Sequence, residues 1–174
     1  MEITQAHGAL IEVLGVGVLL LGKSGVGKSE CALELVSHGH RLVADDVVRI
    51  RTQDGVLKGS APERIRHYIE IRGIGLLFVP ELYGEDSVRD EATIDLTCRL
   101  EAWREGAAYE RIGLERATEE LSGVSIPALV LPVRPAGNMA TLVEVAVRDH
   151  LRRQAGSNAA ERLDARLRAE HSRG

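Results

Sequence analysis

Apolar and polar positions along this chain change period several times, and each change marks an element. Residues 9–22, ALIEVLGVGVLLLG, are almost continuously apolar and predict two strands folded about Gly15-Val16-Gly17. From Gly27 to His38 the apolar positions move to helical spacing. Cys31, Leu35 and His38, with Ala32 and Val36, share one face, and Gly39 stands just past the end. RLVADD (41–46) predicts a short strand ending on two aspartates, and VVRIRTQDGVLKG (47–59) predicts a hairpin about Asp54-Gly55.

Pro62 to Ile69 reads as a helix with proline in its first turn, and EIRGIGLLFVPELYG as a buried strand entered through a glycine-rich bend. Ile94 to Trp103 alternates as a strand, and IPALVLPVRP is a strand closed by prolines. GNMATLVEVAVRDHLRR predicts an amphipathic helix with Asn138 as N-cap and Met139, Leu142, Val143, Ala146 and Val147 inward. From Ser157 onward arginine and glutamate alternate around Leu163 and Leu167, which predicts a solvated helix. Strands interleaved with helices predict an α/β fold: a nucleotide-binding βαβ core with a mixed sheet and flanking helices. We expect one domain over 1–153 and a helical tail over 154–174.

Composition narrows the function. Aromatics make up 3% of the 174 residues, too few to supply the stacking platforms of a single-strand nucleic-acid binder. A net charge of -4 offers no general attraction to nucleic acid or to an anionic membrane, so neither is an expected partner. Cys31 and Cys98 form neither a disulfide framework nor a metal-ligand spacing. MEITQAHG lacks the charge and apolar core of a signal peptide, and no apolar run is long enough to span a bilayer. The expected compartment is the cytoplasm.

The chemistry begins at GKSGVGKSE. Gly22, Gly27, Lys28 and Ser29 satisfy G-x-x-x-x-G-K-[ST] between a predicted strand and a predicted helix, with Lys23, Ser24, Gly25 and Val26 as the body of the loop. Glycines let backbone N–H groups turn inward around an anion, and the helix N-terminus adds partial positive charge. Lys28 reaches the β- and γ-phosphates, and the Ser29 hydroxyl is placed for Mg²⁺. Asp45 and Asp46 follow at the carboxyl end of the next predicted strand, the edge of an α/β sheet where ligands collect. Two adjacent carboxylates can divide the work, one toward a metal and one toward a proton. Pairing 10–14 with 18–22 would set His7 opposite Gly25, where an imidazole can stabilise charge or exchange a proton.

HGALIEVLGVGVLLLGKSGVGKSECALELVSHGHRLVADDVVRI closely resembles the catalytic domain of the HPr kinase/phosphorylase family, and EIRGIGLLFV resembles that family's signature segment. YERIGLE and IPALVLPVRPAGNMATLVEVAV match later blocks in order, from about His7 to about Arg148. The resemblance implies an enzyme that phosphorylates a regulatory serine on HPr, a phosphocarrier protein, with ATP or pyrophosphate as donor and Mg²⁺ as cofactor. It also implies the reverse reaction, in which inorganic phosphate takes the phosphoryl group and leaves as pyrophosphate, and a hexameric homo-oligomer. Asp46 matches the catalytic aspartate, with Asp45 supporting it. Glu70 matches a second metal ligand beside Ser29, within the signature residues Glu70, Ile71, Arg72 and Gly73. His7 and Arg111 match residues of the active centre.

This chain departs from the family in two places. The family's additional N-terminal domain is not represented in it. In the late loop, PVRPAGN carries Ala136 where glycine is expected and Gly137 where arginine is expected; the family ties that loop to the dephosphorylating direction. The residues themselves leave the acceptor open between HPr, another protein or a small-molecule hydroxyl, and also admit a nucleotide-sensing module without transfer.

Overall fold

The structure, a computed structural model, describes residues 3–172. The outermost positions of the two expected segments, 1–2 and 173–174, lie outside the described residues. In chain order the elements are β1 (Ile3–His7), β2 (Ala9–Val13), β3 (Val16–Gly22), α1 (Lys28–Ser37), β4 (Arg41–Ala44), β5 (Val47–Gln53), β6 (Val56–Ser60), β7 (Tyr68–Ile71) and β8 (Gly75–Phe78). There follow α2 (Val79–Tyr83), β9 (Glu91–Thr93), β10 (Leu96–Ala102), β11 (Thr118–Leu121), β12 (Val124–Val133), α3 (Met139–Gln154) and α4 (Ala159–His171).

A six-stranded sheet in the order β11-β12-β10-β3-β2-β4 forms the centre, and a four-stranded sheet β1-β5-β6-β9 packs against it. β12, β10 and β3 are parallel. β2 is antiparallel to both β3 and β4, so β4 runs in the same direction as β3. Consecutive residues of β2 and β3 face opposite ways, and both faces are covered. Ile11, Val18 and Leu20 pack with Leu35 of α1 and with Val143 and Val147 of α3. Leu10 and Leu19 pack with Val48, Ile50 and Leu57 of the second sheet. A strand buried on both faces reads as an unbroken apolar run, which is why VLLL alternates with nothing.

α3 begins where expected. Asn138 Oδ1 accepts the Thr141 N–H at 3.0 Å, and Met139, Val143, Ala146 and Val147 are buried. Leu142 is instead 43% exposed, because it lies to one side of the stripe that Val143 and Val147 define. His38 caps α1 and is exposed, its Nδ1 2.7 Å from Glu144 Oε1. None of the described residues of α4 is buried. Among the described residues no helix is long and apolar enough to cross a membrane.

Four further expectations are corrected. The first hairpin turns at Leu14-Gly15, with φ of 52° and 79°, because Val13 pairs with Val16. Gly17 is a strand residue: a Cβ there would overlap the Thr93 carbonyl oxygen, and its N–H donates to Asp95 Oδ2 at 2.9 Å. The register therefore does not oppose His7 to Gly25; His7 ends β1 and pairs with Val47 of β5. Pro62–Ile69 is no helix but a single 3₁₀ turn at Glu63–Ile65 followed by β7. EIRGIGLLFVPELYG is no buried strand either. It forms the two-stranded β7–β8 hairpin, with Ile74 72% and Leu76 68% exposed, and then the short α2.

Candidate functional site

β3 brings the chain to Gly22 and α1 carries it away from Lys28. Gly22 takes φ 144°, and a Cβ at that position would stand 2.5 Å from the Leu100 carbonyl oxygen on β10. Only glycine fits both demands. The Val26 N–H donates to the Lys23 carbonyl oxygen at 3.1 Å, closing the loop on itself. Lys28 Nζ donates to the carbonyl oxygens of Gly22 at 2.7 Å and Lys23 at 3.0 Å, which holds the ammonium over the loop.

β4 ends at Ala44, and its direction sets Asp45 on the same edge of the sheet as the loop. Asp45 is buried, and its Oδ1 accepts the Ser29 hydroxyl at 2.8 Å. Burial pushes its carboxyl above the usual aspartate value, opposed by the Ser29 hydroxyl and by the N–H groups of Glu70 and Asp46. Asp46 is exposed and takes φ 67°. The Val47 N–H donates past it to the Asp45 carbonyl oxygen at 2.8 Å, which makes a γ-turn of the rarer, positive-φ kind. The Gly8 N–H, donating to the Asp46 carbonyl oxygen at 3.0 Å, holds that strained unit in place. His7, next in the chain to Gly8, arrives beside the aspartates through the β1–β5 pairing.

Glu70 reaches the same place by alternation. Its neighbours Ile69 and Ile71 are buried, so its own side chain faces the other way. Arg72 follows in the turn, and a Cβ on Gly25 would lie 3.5 Å from its Nη1; its guanidinium is thus poised over the loop. One cavity of about 410 Å³ is lined by Gly22, Ser24, Gly25, Gly27, Lys28, Ser29 and Glu30 on the loop side, and by His7, Asp45, Asp46, Glu70 and Arg72 opposite. Lys23, Val26, Ile71 and Gly73 belong to the same segments without lining it. Arg111 does not line this cavity; it is exposed on segment 103–117, where Glu110 Oε1 accepts N–H groups from Arg111, Ile112 and Gly113.

The donor set suits Mg²⁺. Ser29 from the loop side and Asp45 and Glu70 from the opposite side offer hard oxygens to the cavity, and the Ser29–Asp45 hydrogen bond already orders two of them. Among the described residues no three His, Cys, Asp or Glu side chains form a metal cluster. Mg²⁺ needs none, since it ordinarily takes one or two protein carboxylates and completes its shell with water and substrate phosphates.

No motif in the sequence marks the far side of the aspartates. A second cavity of about 280 Å³ shares Asp45, Asp46 and Glu70 with the first and adds Arg64, Ile65, Tyr68 and Leu76. The only signal was the cluster of apolar residues around a segment read as helix and buried strand. Their exposure depends on how the β7–β8 hairpin is mounted.

The chain is similar to known proteins over most of its length. The family model described as the HPr Serine kinase C-terminal domain matches residues 1–167. The chain is 56% identical over 162 residues to an HPr kinase/phosphorylase of Caldanaerobacter subterraneus subsp. tengcongensis, covering 92% of this chain and 53% of that relative. It is 49% identical over 165 residues to one of Exiguobacterium sibiricum, covering 94% and 53%. It thus spans about half the length of the curated relatives it matches. The solved structure of the Hpr(Ser) kinase/phosphatase from Coxiella burnetii superposes with a TM-score of 0.80 at 32% identity, covering 87% of this chain and 99% of that one.

Proposed function

Because this chain belongs to the HPr serine kinase C-terminal domain family, we propose that it phosphorylates a serine hydroxyl of HPr with ATP or pyrophosphate. In reverse it transfers the phosphoryl group from phosphoserine to inorganic phosphate, giving serine and pyrophosphate. The observation that carries this reading is the shared cavity: the glycine-rich loop, the aspartate pair, Glu70, Arg72 and His7 come from separate segments and line one space of about 410 Å³.

The loop's N–H groups and the α1 N-terminus hold the donor phosphates. Lys28 exchanges the Gly22 and Lys23 carbonyl oxygens for phosphate oxygens, keeping its ammonium paired throughout. Ser29 and Glu70, with Asp45 behind Ser29, would hold Mg²⁺, which when bound neutralises charge on the phosphate oxygens. Asp45 is buried and engaged by Ser29, whereas Asp46 is exposed on the cavity wall. Asp46 is therefore the carboxylate that accepts the serine proton as the new P–O bond forms and the bond to the leaving phosphate breaks. The same carboxyl returns the proton in the reverse direction. Arg72, above Gly25, and His7 face the transferred group and stabilise its charge; Arg111 does not line this cavity.

The test is to incubate the chain with Mg²⁺, ATP and HPr and to read the intact mass of HPr. Gain of one phosphoryl group on a serine, removed again on adding inorganic phosphate, is the expected result. No gain while ATP still binds would sink HPr as the acceptor for this chain.

A further inference from the structure

The edge of the sheet that carries the loop continues beyond it. β12, β10, β3 and β4 all run the same way. In the order β12-β10-β3-β2-β4 their carboxyl ends set four groups in a row: Arg134, Trp103, the glycine-rich loop, and Asp45 with Asp46. Neighbouring strands lie ~4.8 Å apart, so β4 and β12 stand about 10 Å to either side of β3. The reacting aspartate occupies one side. A donor held with its terminal phosphate toward Asp46 extends away from it, across the ends of β10 and β12.

On that side stands a stacked column. The Trp103 backbone N–H donates to the Val133 carbonyl oxygen at 3.0 Å, which fixes the main chain of Trp103 at the end of the β10–β12 pair. Arg134 Cζ lies 3.9 Å from the indole centroid. Tyr109 stacks on the same indole with centroids 5.0 Å apart and an interplanar angle of 22°. A guanidinium centred over the ring leaves no room for a second ring at that distance on the same face, so Arg134 and Tyr109 sandwich Trp103. Arg134 is exposed, and its guanidinium is backed by the indole. A planar guanidinium held this way is a stacking surface for a heteroaromatic ring. The chain has one tryptophan and 3% aromatics, and it spends two of those side chains here.

We propose that Arg134, positioned by Trp103 and Tyr109, is the subsite that stacks the nucleobase of a nucleoside triphosphate donor. This rests on the reading of the glycine-rich loop as the donor's phosphate site. It makes the column a device that separates ATP from donors with no base. The competing role is mechanical: the stack would only fasten segment 103–117 to the end of β12.

Inorganic tripolyphosphate separates these, because it offers the same phosphate chain without a nucleoside. Affinities for ATP and for tripolyphosphate, each with Mg²⁺, are measured by calorimetry on the wild-type chain and on Arg134→Lys and Trp103→Leu. Arg134→Lys keeps the charge and removes the plane; Trp103→Leu removes the backing. Both variants are expected to bind ATP about tenfold more weakly and tripolyphosphate within twofold of wild type, in line with the usual worth of one stacked base. The lone tryptophan is expected to change its emission with ATP and not with tripolyphosphate. Parallel loss of both ligands, or loss of neither, overturns the proposal and leaves the fastening role. A wild-type chain that binds neither ligand overturns the phosphate-site reading itself, and the base subsite with it.

Discussion

On one side of the glycine-rich loop stand Asp45 and Asp46, and on the other Trp103 and Arg134. The aspartates are held by backbone: a γ-turn with positive φ at Asp46, a bond from the Gly8 N–H, and a buried carboxylate engaged by Ser29. The aromatic side is held by stacked side chains on exposed loops, with Trp103 40% exposed. The proton transfer proposed for Asp46 tolerates little displacement, and a carboxylate set by backbone hydrogen bonds suits it. Stacking tolerates sliding, and side chains suffice for it. Changes on the aspartate side are therefore expected to strike the chemistry, and changes on the aromatic side affinity or local stability.

The largest effect belongs to Asp46. Asp46→Asn is expected to slow transfer to HPr by ~10²–10⁴-fold while ATP affinity stays within twofold. Rapid-quench rates and calorimetry on the same preparation check it, and transfer within a few-fold of wild type would remove Asp46 from the role of base.

Next comes Gly22, where the loop touches the β10 side. Gly22→Ala is expected to destabilise the fold by roughly 1–3 kcal/mol, since the new methyl meets the Leu100 carbonyl oxygen at a backbone angle that only glycine favours. Urea unfolding measures this, and an unchanged midpoint would mean the loop is not pinned against β10.

Asp45→Asn tests the aspartate side through stability instead of rate. Burial raises the Asp45 carboxyl above its unfolded value, so this group favours the folded state most below the ordinary aspartate range. That contribution disappears as pH rises through the elevated folded value, above which the buried carboxylate is charged and costs stability. In metal-free buffer the variant is expected to melt above wild type at pH 7, with the gap narrowing as pH falls toward the carboxylate range. A gap that is flat or widens on acidification would contradict burial as the cause.

The smallest effect lies on the aromatic side. The Gly137 N–H donates to the Arg134 carbonyl oxygen at 2.9 Å, with Pro135 and Ala136 between them and Ala136 at φ 57°. That is the pattern of a type II turn, which asks for glycine at its third residue. Ala136→Gly is expected to stabilise the chain by about 1 kcal/mol, read as a shift in the urea midpoint, with no change in the rate of transfer.

Much of the loop side was legible because its signals are local. G-x-x-x-x-G-K-S, the Asp54-Gly55 hairpin and Asn138 before an apolar stripe each act within a few residues. The first hairpin was misjudged because Gly17 looks like a turn residue. Its true reason is the Thr93 carbonyl oxygen crossing next to it, a contact across the fold. The signature segment was misjudged for a related reason. Ile74, Leu76 and Tyr68 have strand-like character, but their burial depends on what covers the β7–β8 hairpin, and all three are substantially exposed.

From sequence alone came the glycine-rich loop between strand and helix, the helix it opens, and the placement of Asp45 and Asp46 at the end of the following strand. These depend on chain direction and on hydrogen bonds between near neighbours. Only the tertiary structure decided which aspartate is buried, that Arg72 reaches Gly25, and that Arg134 stacks on Trp103. Those facts follow from the pairing of β1 with β5, β2 with β4, β7 with β8, and β10 with β12. Such pairings are set by how two apolar faces close over a shared core, which no short window of sequence contains.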